Sequence, residues 1–255
     1  MKGRVHIGTS GWMYKDWGKE FYPEGMKKGF LEFLSSEFST VEVNSSFYHL
    51  PLASTFSKWR SETPEGFIFA VKLSRYVSHF SKLTHTRTSI YRFLARARHL
   101  KEKLGPILIQ LPPWQKFEEK QFSRFIEDVK AAEKRSKLKL RFVIEPRHIS
   151  FMKEHAPAVR KILKKAEIAL VFPHSKKIPS FSPTSENILT NFVYVRFHGP
   201  SEWAASRYGS SRLAPWAARI REWSEKGIEV YVYFNNDIHG HAIHDARTLK
   251  RLVLD

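Results

Sequence analysis

The sequence predicts a single (β/α)8 barrel of the TIM type spanning residues 1–255. Three observations carry that prediction. Eight short runs rich in β-branched and aromatic residues are bounded by turn residues, segments with helical apolar spacing lie between them, and no glycine-rich linker or compositional break divides the chain. A doubly wound open sheet is the competing architecture. It would ordinarily carry a phosphate loop, and neither G-x-G-x-x-G nor a Walker sequence occurs.

The runs are RVHIGTS (residues 4–10), TVEVNSSF (40–47), FIFAVKL (67–73), PILIQLP (106–112), LRFVIEP (140–146), IALVFP (168–173), FVYVRFHG (192–199) and EVYVYFNN (229–236). Helical spacing joins Phe30, Leu31, Phe33 and Leu34, then Ile90, Phe93, Leu94 and Ala97. It recurs at Phe122, Phe125, Ile126 and Val129, at Leu213, Trp216, Ala217, Ile220 and Trp223, and in the closing DARTLKRLVLD. The longest irregular stretch, PHSKKIPSFSPTSEN (173–187), is polar and proline-bearing and reads as a mobile loop after the sixth strand.

Side chains alternate along a strand, so one parity faces a barrel lumen and the other faces the helices. In the second run Val41 and Val43 alternate with Thr40, Glu42, Asn44 and Ser46. In the seventh, Val193, Val195 and Phe197 alternate with Arg196 and His198, and the eighth sets Val230, Val232 and Phe234 against Tyr231, Tyr233 and Asn235. The polar parity collects toward the C-terminal ends, where barrel active sites form. The predicted ring comprises Ser10, Glu42, Asn44, Lys72, Gln110, Glu145, Arg147, Arg196, His198 and Asn235, with His148 just beyond the fifth strand. A buried network that only neutralises itself would explain any one member equally well. Polar groups at one end of seven strands are what a ligand site needs and a core does not.

Composition bounds the function. The chain is 42% hydrophobic with a formal charge of +18, which suits a phosphate-bearing small molecule or a nucleic acid as partner. Zero cysteines exclude disulfides, thiolate catalysis and Cys-ligated metals. There is no secretory signal and no apolar run long enough to span a bilayer, so the expectation is a cytoplasmic protein without a membrane partner. Asn and Gln are sparse, as in heat-adapted proteins from thermophiles. The oligomeric state is not encoded in any feature of the sequence.

The chain resembles the YecE-like family, domain of unknown function 72. The resemblance rests on GTSGW with Tyr14 and Trp17, FYP (21–23), TVEVNSSFY (40–48), TPEGFIFAVK (63–72), SHFSKL (78–83), KLGPILIQLPP (103–113), EPRHISF (145–151), YVRFHG (194–199) and FNN (234–236), in order along nearly the whole chain. It implies a TIM barrel and supplies no activity. Ser46 stands where the family often has Thr and Phe151 where it often has Trp, and His174 occupies a strand end where an acidic residue is expected.

Three chemistries fit the ring. The leading one is metal-assisted hydrolysis of a phosphate ester, as in a phosphodiesterase or nuclease. Here Glu42, Glu145, His148 and His198 would ligate a divalent ion or act as catalytic groups, with Lys72, Arg147 and Arg196 holding phosphate. The second is metal-independent acid–base work by a sugar or sugar-phosphate isomerase or lyase. Glu145 would be the base and His198 the proton donor, with Ser10, Asn44, Gln110, Tyr233 and Asn235 binding hydroxyls and Trp12 a ring face. The third is a non-catalytic nucleic-acid binder using the basic surface.

Overall fold

The computed structural model describes residues 1–254, apart from the side chain of residue 19. Eight parallel strands close into one barrel in chain order: β1 (Val5–Ser10), β2 (Thr40–Val43), β3 (Ile68–Lys72), β4 (Leu104–Gln110), β5 (Phe142–Glu145), β6 (Ile168–His174), β7 (Phe192–Phe197) and β8 (Glu229–Phe234). The ring is sealed where β1 pairs with β8, from Val5 beside Val230 to Thr9 beside Phe234. At the N-terminal end of that seam His6 Nε2 lies 3.0 Å from Glu229 Oε1, and the His6 ring stacks on Tyr231.

The α-helices are α1 (Trp17–Glu20), α2 (Phe30–Glu37), α3 (Ser45–Tyr48), α4 (Ala53–Ser61), α5 (Arg87–Ala97), α6 (Glu119–Ser136), α7 (Ala156–Lys165), α8 (Gly209–Glu225) and α9 (His241–Leu254). In α6 the Glu118 carboxylate accepts from the Lys120 and Gln121 backbone N–H groups, and Phe122, Phe125, Ile126 and Val129 form one buried stripe. No α-helix joins β6 to β7. Residues 175–191 cross there with only a short 3-10 turn, Ser185–Asn187. Ile178 and Phe181 of this crossing are buried, and Asn187 ties it down by donating to the Ser182 carbonyl and Thr184 Oγ1. It therefore contributes to the core as a helix would.

The apolar parity read from the second, seventh and eighth runs faces the helices. Val41, Val43, Val193, Val195, Phe197, Val230, Val232 and Phe234 belong to the core between strands and helices. The lumen has a separate core of Ala70, Leu108, Val143, Ala169, Val171, Phe192, Tyr194, Tyr231 and Tyr233. Each fully buried Val, Leu or Phe among them contributes about 1.5–3 kcal/mol. Gly8 sits on the lumen parity beside Tyr233. A Cβ there would lie 2.1 Å from the Thr40 carbonyl oxygen, so only glycine lets β1 and β2 approach this closely.

The second run departs from expectation. Its strand ends at Val43, and Ser45–Tyr48 turn into α3, so Ser46 leaves the lumen and donates instead to the Val43 and Lys72 carbonyls. Helices α4 and α7 lie outside the segments read from the sequence; α4 buries Phe56, and α7 buries Ala156, Val159 and Leu163 along one face.

Candidate active site at the barrel mouth

Strand register places the polar ring at one level: Ser10 lies beside Glu42, and Gln110 beside Glu145. At its centre Arg196, 1% exposed, bridges both carboxylates. Its Nε donates to Glu42 Oε2 at 2.9 Å and its Nη2 to Glu42 Oε1 at 2.7 Å, while Nη1 donates to Glu145 Oε2 at 2.7 Å. Ser10 Oγ and Tyr194 Oη also donate to Glu42, the latter at 2.6 Å. Arg147 Nε donates to Glu145 Oε1 at 2.5 Å.

These contacts set the charges. Burial pushes both carboxyls up, but the facing guanidinium groups outweigh it. Arg196 holds Glu42 below the ordinary carboxylate range, and Arg147 with Arg196 holds Glu145 well below it. Both remain ionised. Glu42 spends both oxygens on protein donors, and Arg196 spends its guanidinium on the two acids.

His198 closes the ring on the other side. The amides form a relay, with Asn44 Nδ2 donating to Asn235 Oδ1 at 3.4 Å and Asn235 Nδ2 lying 3.1 Å from His198 Nδ1. An amide N–H on Nδ1 puts the proton of the neutral imidazole on Nε2. That Nε2 is buried with no hydrogen-bond partner among the described residues; the Glu145 Oε2 atom lies 3.8 Å away. Burial, with Arg196 nearby, lowers the His198 pKa to about 4, so the ring is neutral near pH 7. Trp203, from the loop after β7, stacks on His198 with centroids 4.8 Å apart, and the Arg147 guanidinium lies over the opposite partner of that stack at 5.4 Å from the Trp203 ring.

Lys72, at the end of β3, is 8% exposed. Its Nζ sits 4.1 Å from the Phe47 ring centroid. Burial, and then the Arg196 charge, lower its pKa to about 7.

Other expected members fall elsewhere. His148 turns its Nδ1 onto Ser150, accepting from the backbone N–H at 3.1 Å, and so caps the 3-10 turn Ile149–Phe151. Among the described residues no group of three or more His, Cys, Asp or Glu could hold a metal ion. The expected quartet of Glu42, Glu145, His148 and His198 is therefore not assembled as a ligand set, because the arginines already occupy the acids. Trp12 packs edge-on against Trp59 and lines a surface cleft between α2 and α4. Tyr233 is fully buried beside Arg196 in the strand register, its Oη 2.6 Å from Thr40 Oγ1, so it is enclosed in the lumen rather than open to a ligand. Gln110 accepts from Arg196 Nη1 at 3.4 Å.

Sequence reasoning missed Tyr194, Phe47, Trp203 and Asp237. Tyr194 shares the parity of Arg196 two residues on, a signal the alternation already contained. Asp237 follows β8; its Oδ1 is buried without a partner, and burial pushes its carboxyl well above the ordinary carboxylate range. Nothing local in the sequence distinguishes it from a loop acid.

Comparison with known proteins places the chain. The model of the family described as "Protein of unknown function DUF72" matches residues 6–255. UPF0759 protein YunF of Bacillus subtilis is 25% identical, covering 98% of this chain and 94% of its own. A DUF72 family protein of Thermotoga maritima superposes with a TM-score of 0.84 at 26% identity, covering 99% of this chain and 100% of its own. One from Enterococcus faecalis gives 0.83 at 19%, covering 98% and 96%. No helix of the described residues is long and apolar enough to cross a membrane.

Proposed function

From the premise that the chain belongs to the DUF72 family, whose description names no reaction, we propose that it is a metal-independent isomerase or lyase acting on a carbonyl-bearing sugar phosphate at the barrel mouth. The observation that carries this reading is His198 Nε2, a buried donor held in one tautomer and left without an acceptor. A neutral imidazole N–H in an enclosed site polarises a carbonyl oxygen without surrendering its own proton.

The remaining groups fit that chemistry. Arg147 commits only Nε to Glu145, and its Nη groups have no protein partner among the described residues, leaving a two-pronged donor for phosphate. Asn44 Oδ1 is buried without a partner and accepts from a substrate hydroxyl. Glu145, stabilised as an anion by two arginines, is a weak base; its part is to fix Arg147.

Metal-assisted phosphodiester cleavage draws support from the net charge alone, since both acids are engaged by arginine. The deciding experiment incubates the protein with a panel of aldose and ketose phosphates in deuterated, chelator-treated buffer. Deuterium incorporation beside the carbonyl carbon, lost in His198→Gln, is the expected result. Turnover confined to phosphodiesters and requiring added divalent metal would overturn the reading.

A further inference from the structure

Lys72 has no place in the scheme above, and its surroundings are unusual for a lysine. Its side chain is almost wholly enclosed at the C-terminal end of β3. Both neighbouring carboxylates are saturated by Arg196 and Arg147. Among the described residues its Nζ has neither a carboxylate within 4 Å nor a hydrogen-bond acceptor, and it lies 4.1 Å from the centroid of the Phe47 ring. A buried ammonium with such company is costly, and the cost is far smaller when the group is a neutral amine.

Resting on the proposed carbonyl substrate, we propose that Lys72 is a covalent nucleophile whose amine condenses with the substrate carbonyl carbon to form an imine. The Nζ lone pair makes the new N–C bond while the carbonyl π pair moves to oxygen, which takes up a proton as nitrogen releases one. The resulting hydroxyl leaves as water with a second proton, and the nitrogen lone pair forms the C=N bond, so amine plus carbonyl gives imine plus water with no oxidant or reductant consumed. His198 Nε2–H, in the same strand-end ring, is the group suited to polarise the carbonyl oxygen in the addition step, with the proton that nitrogen releases passing to that oxygen.

The protonation balance agrees with the geometry. With a pKa of about 7, about half of Lys72 is free amine at pH 7, against roughly one part in a few thousand for an exposed lysine. The π face of Phe47 supports the cationic imine once it forms.

The test is reductive trapping. The intact protein is incubated with glycolaldehyde phosphate at pH 7, reduced with sodium borohydride and mapped by peptide mass spectrometry, alongside Lys72→Arg and a sample containing excess inorganic phosphate. The expected result is one dominant adduct on Lys72, roughly tenfold above any surface lysine, suppressed by phosphate and absent from Lys72→Arg. Labelling spread over exposed lysines without enrichment at Lys72 would overturn the imine. The reading on which it rests has a separate measure: deuterium exchange into the sugar-phosphate panel. Exchange without trapping removes only the covalent step; trapping of nothing together with no exchange removes both. Circular dichroism of Lys72→Arg, and a parallel Lys72→Met, keep a folding failure from mimicking either outcome.

Discussion

Arg196 grips Glu42 with two N–H groups, at 2.9 and 2.7 Å, where neither side chain exposes more than 1% of its surface. A guanidinium so placed, with a second acid at 2.7 Å, organises the lumen and is unavailable to a ligand. Removing it strands two buried anions. Arg196→Met is expected to lose about 3–5 kcal/mol of stability in urea unfolding at pH 7. A loss below about 1 kcal/mol would mean that the acids find other partners.

The acid limb of stability has a defined sign. His198 takes up a proton in the folded protein only near pH 4, against 6.5 as a free side chain. As pH falls below 6.5 the unfolded chain binds that proton first, so stability drops through the window from 6.5 to 4. The contribution is about 2 kcal/mol between pH 7 and 5. His198→Gln should flatten that part of the profile, leaving the carboxylate losses that begin below about 4.5, where unfolded Glu42 and Glu145 take protons before the folded ones do. An unchanged slope from pH 7 to 5 would assign the effect to other histidines.

Lys72 predicts the opposite of a stabilising residue. Its folded pKa near 7 lies below the ordinary 10.5, so between those values the unfolded chain holds a proton that the folded one has released, and stability rises with pH. Lys72→Met should therefore melt higher than the parent at pH 7, and the gap should narrow by pH 9. Equal melting at both values would show that the amine is well solvated.

Trp203 shields His198 by stacking on it yet is itself 36% exposed. Trp203→Ala should leave the fold intact and admit water to the imidazole, moving its titration from about 4 toward 6.5. Histidine-resolved NMR titration reads this directly, and an unmoved value would mean that the strand walls alone exclude water.

Much of this arrangement was legible in the sequence because strand alternation is strictly local. Once Val193, Val195 and Phe197 are assigned to the helices, Arg196 and His198 must face the lumen, and register brings Ser10 to Glu42 and Gln110 to Glu145. What alternation cannot give is who pairs with whom. Glu42, Glu145 and Arg196 read equally well as metal ligands and phosphate binder or as a closed ion network, and only distances of 2.7 to 2.9 Å decide for the network. His148 fails for a related reason: three residues past its strand it is governed by loop conformation, where the nearby Ser150 N–H is the better partner. The missing helix between β6 and β7 was foreshadowed by three prolines in residues 173–187, whereas the buried anchoring by Ile178 and Phe181 was not.

The seam between β1 and β8 has a consequence for how the molecule comes into being. His6 and Glu229, 223 positions apart, meet only across it, so a nascent chain emerging from the ribosome carries β1 with a bare backbone edge until β8 has been synthesised. During that interval the growing sheet offers two sticky rims to any neighbour. Output of native protein should accordingly depend on synthesis rate and on chaperone shielding, independently of how firm the finished ring is.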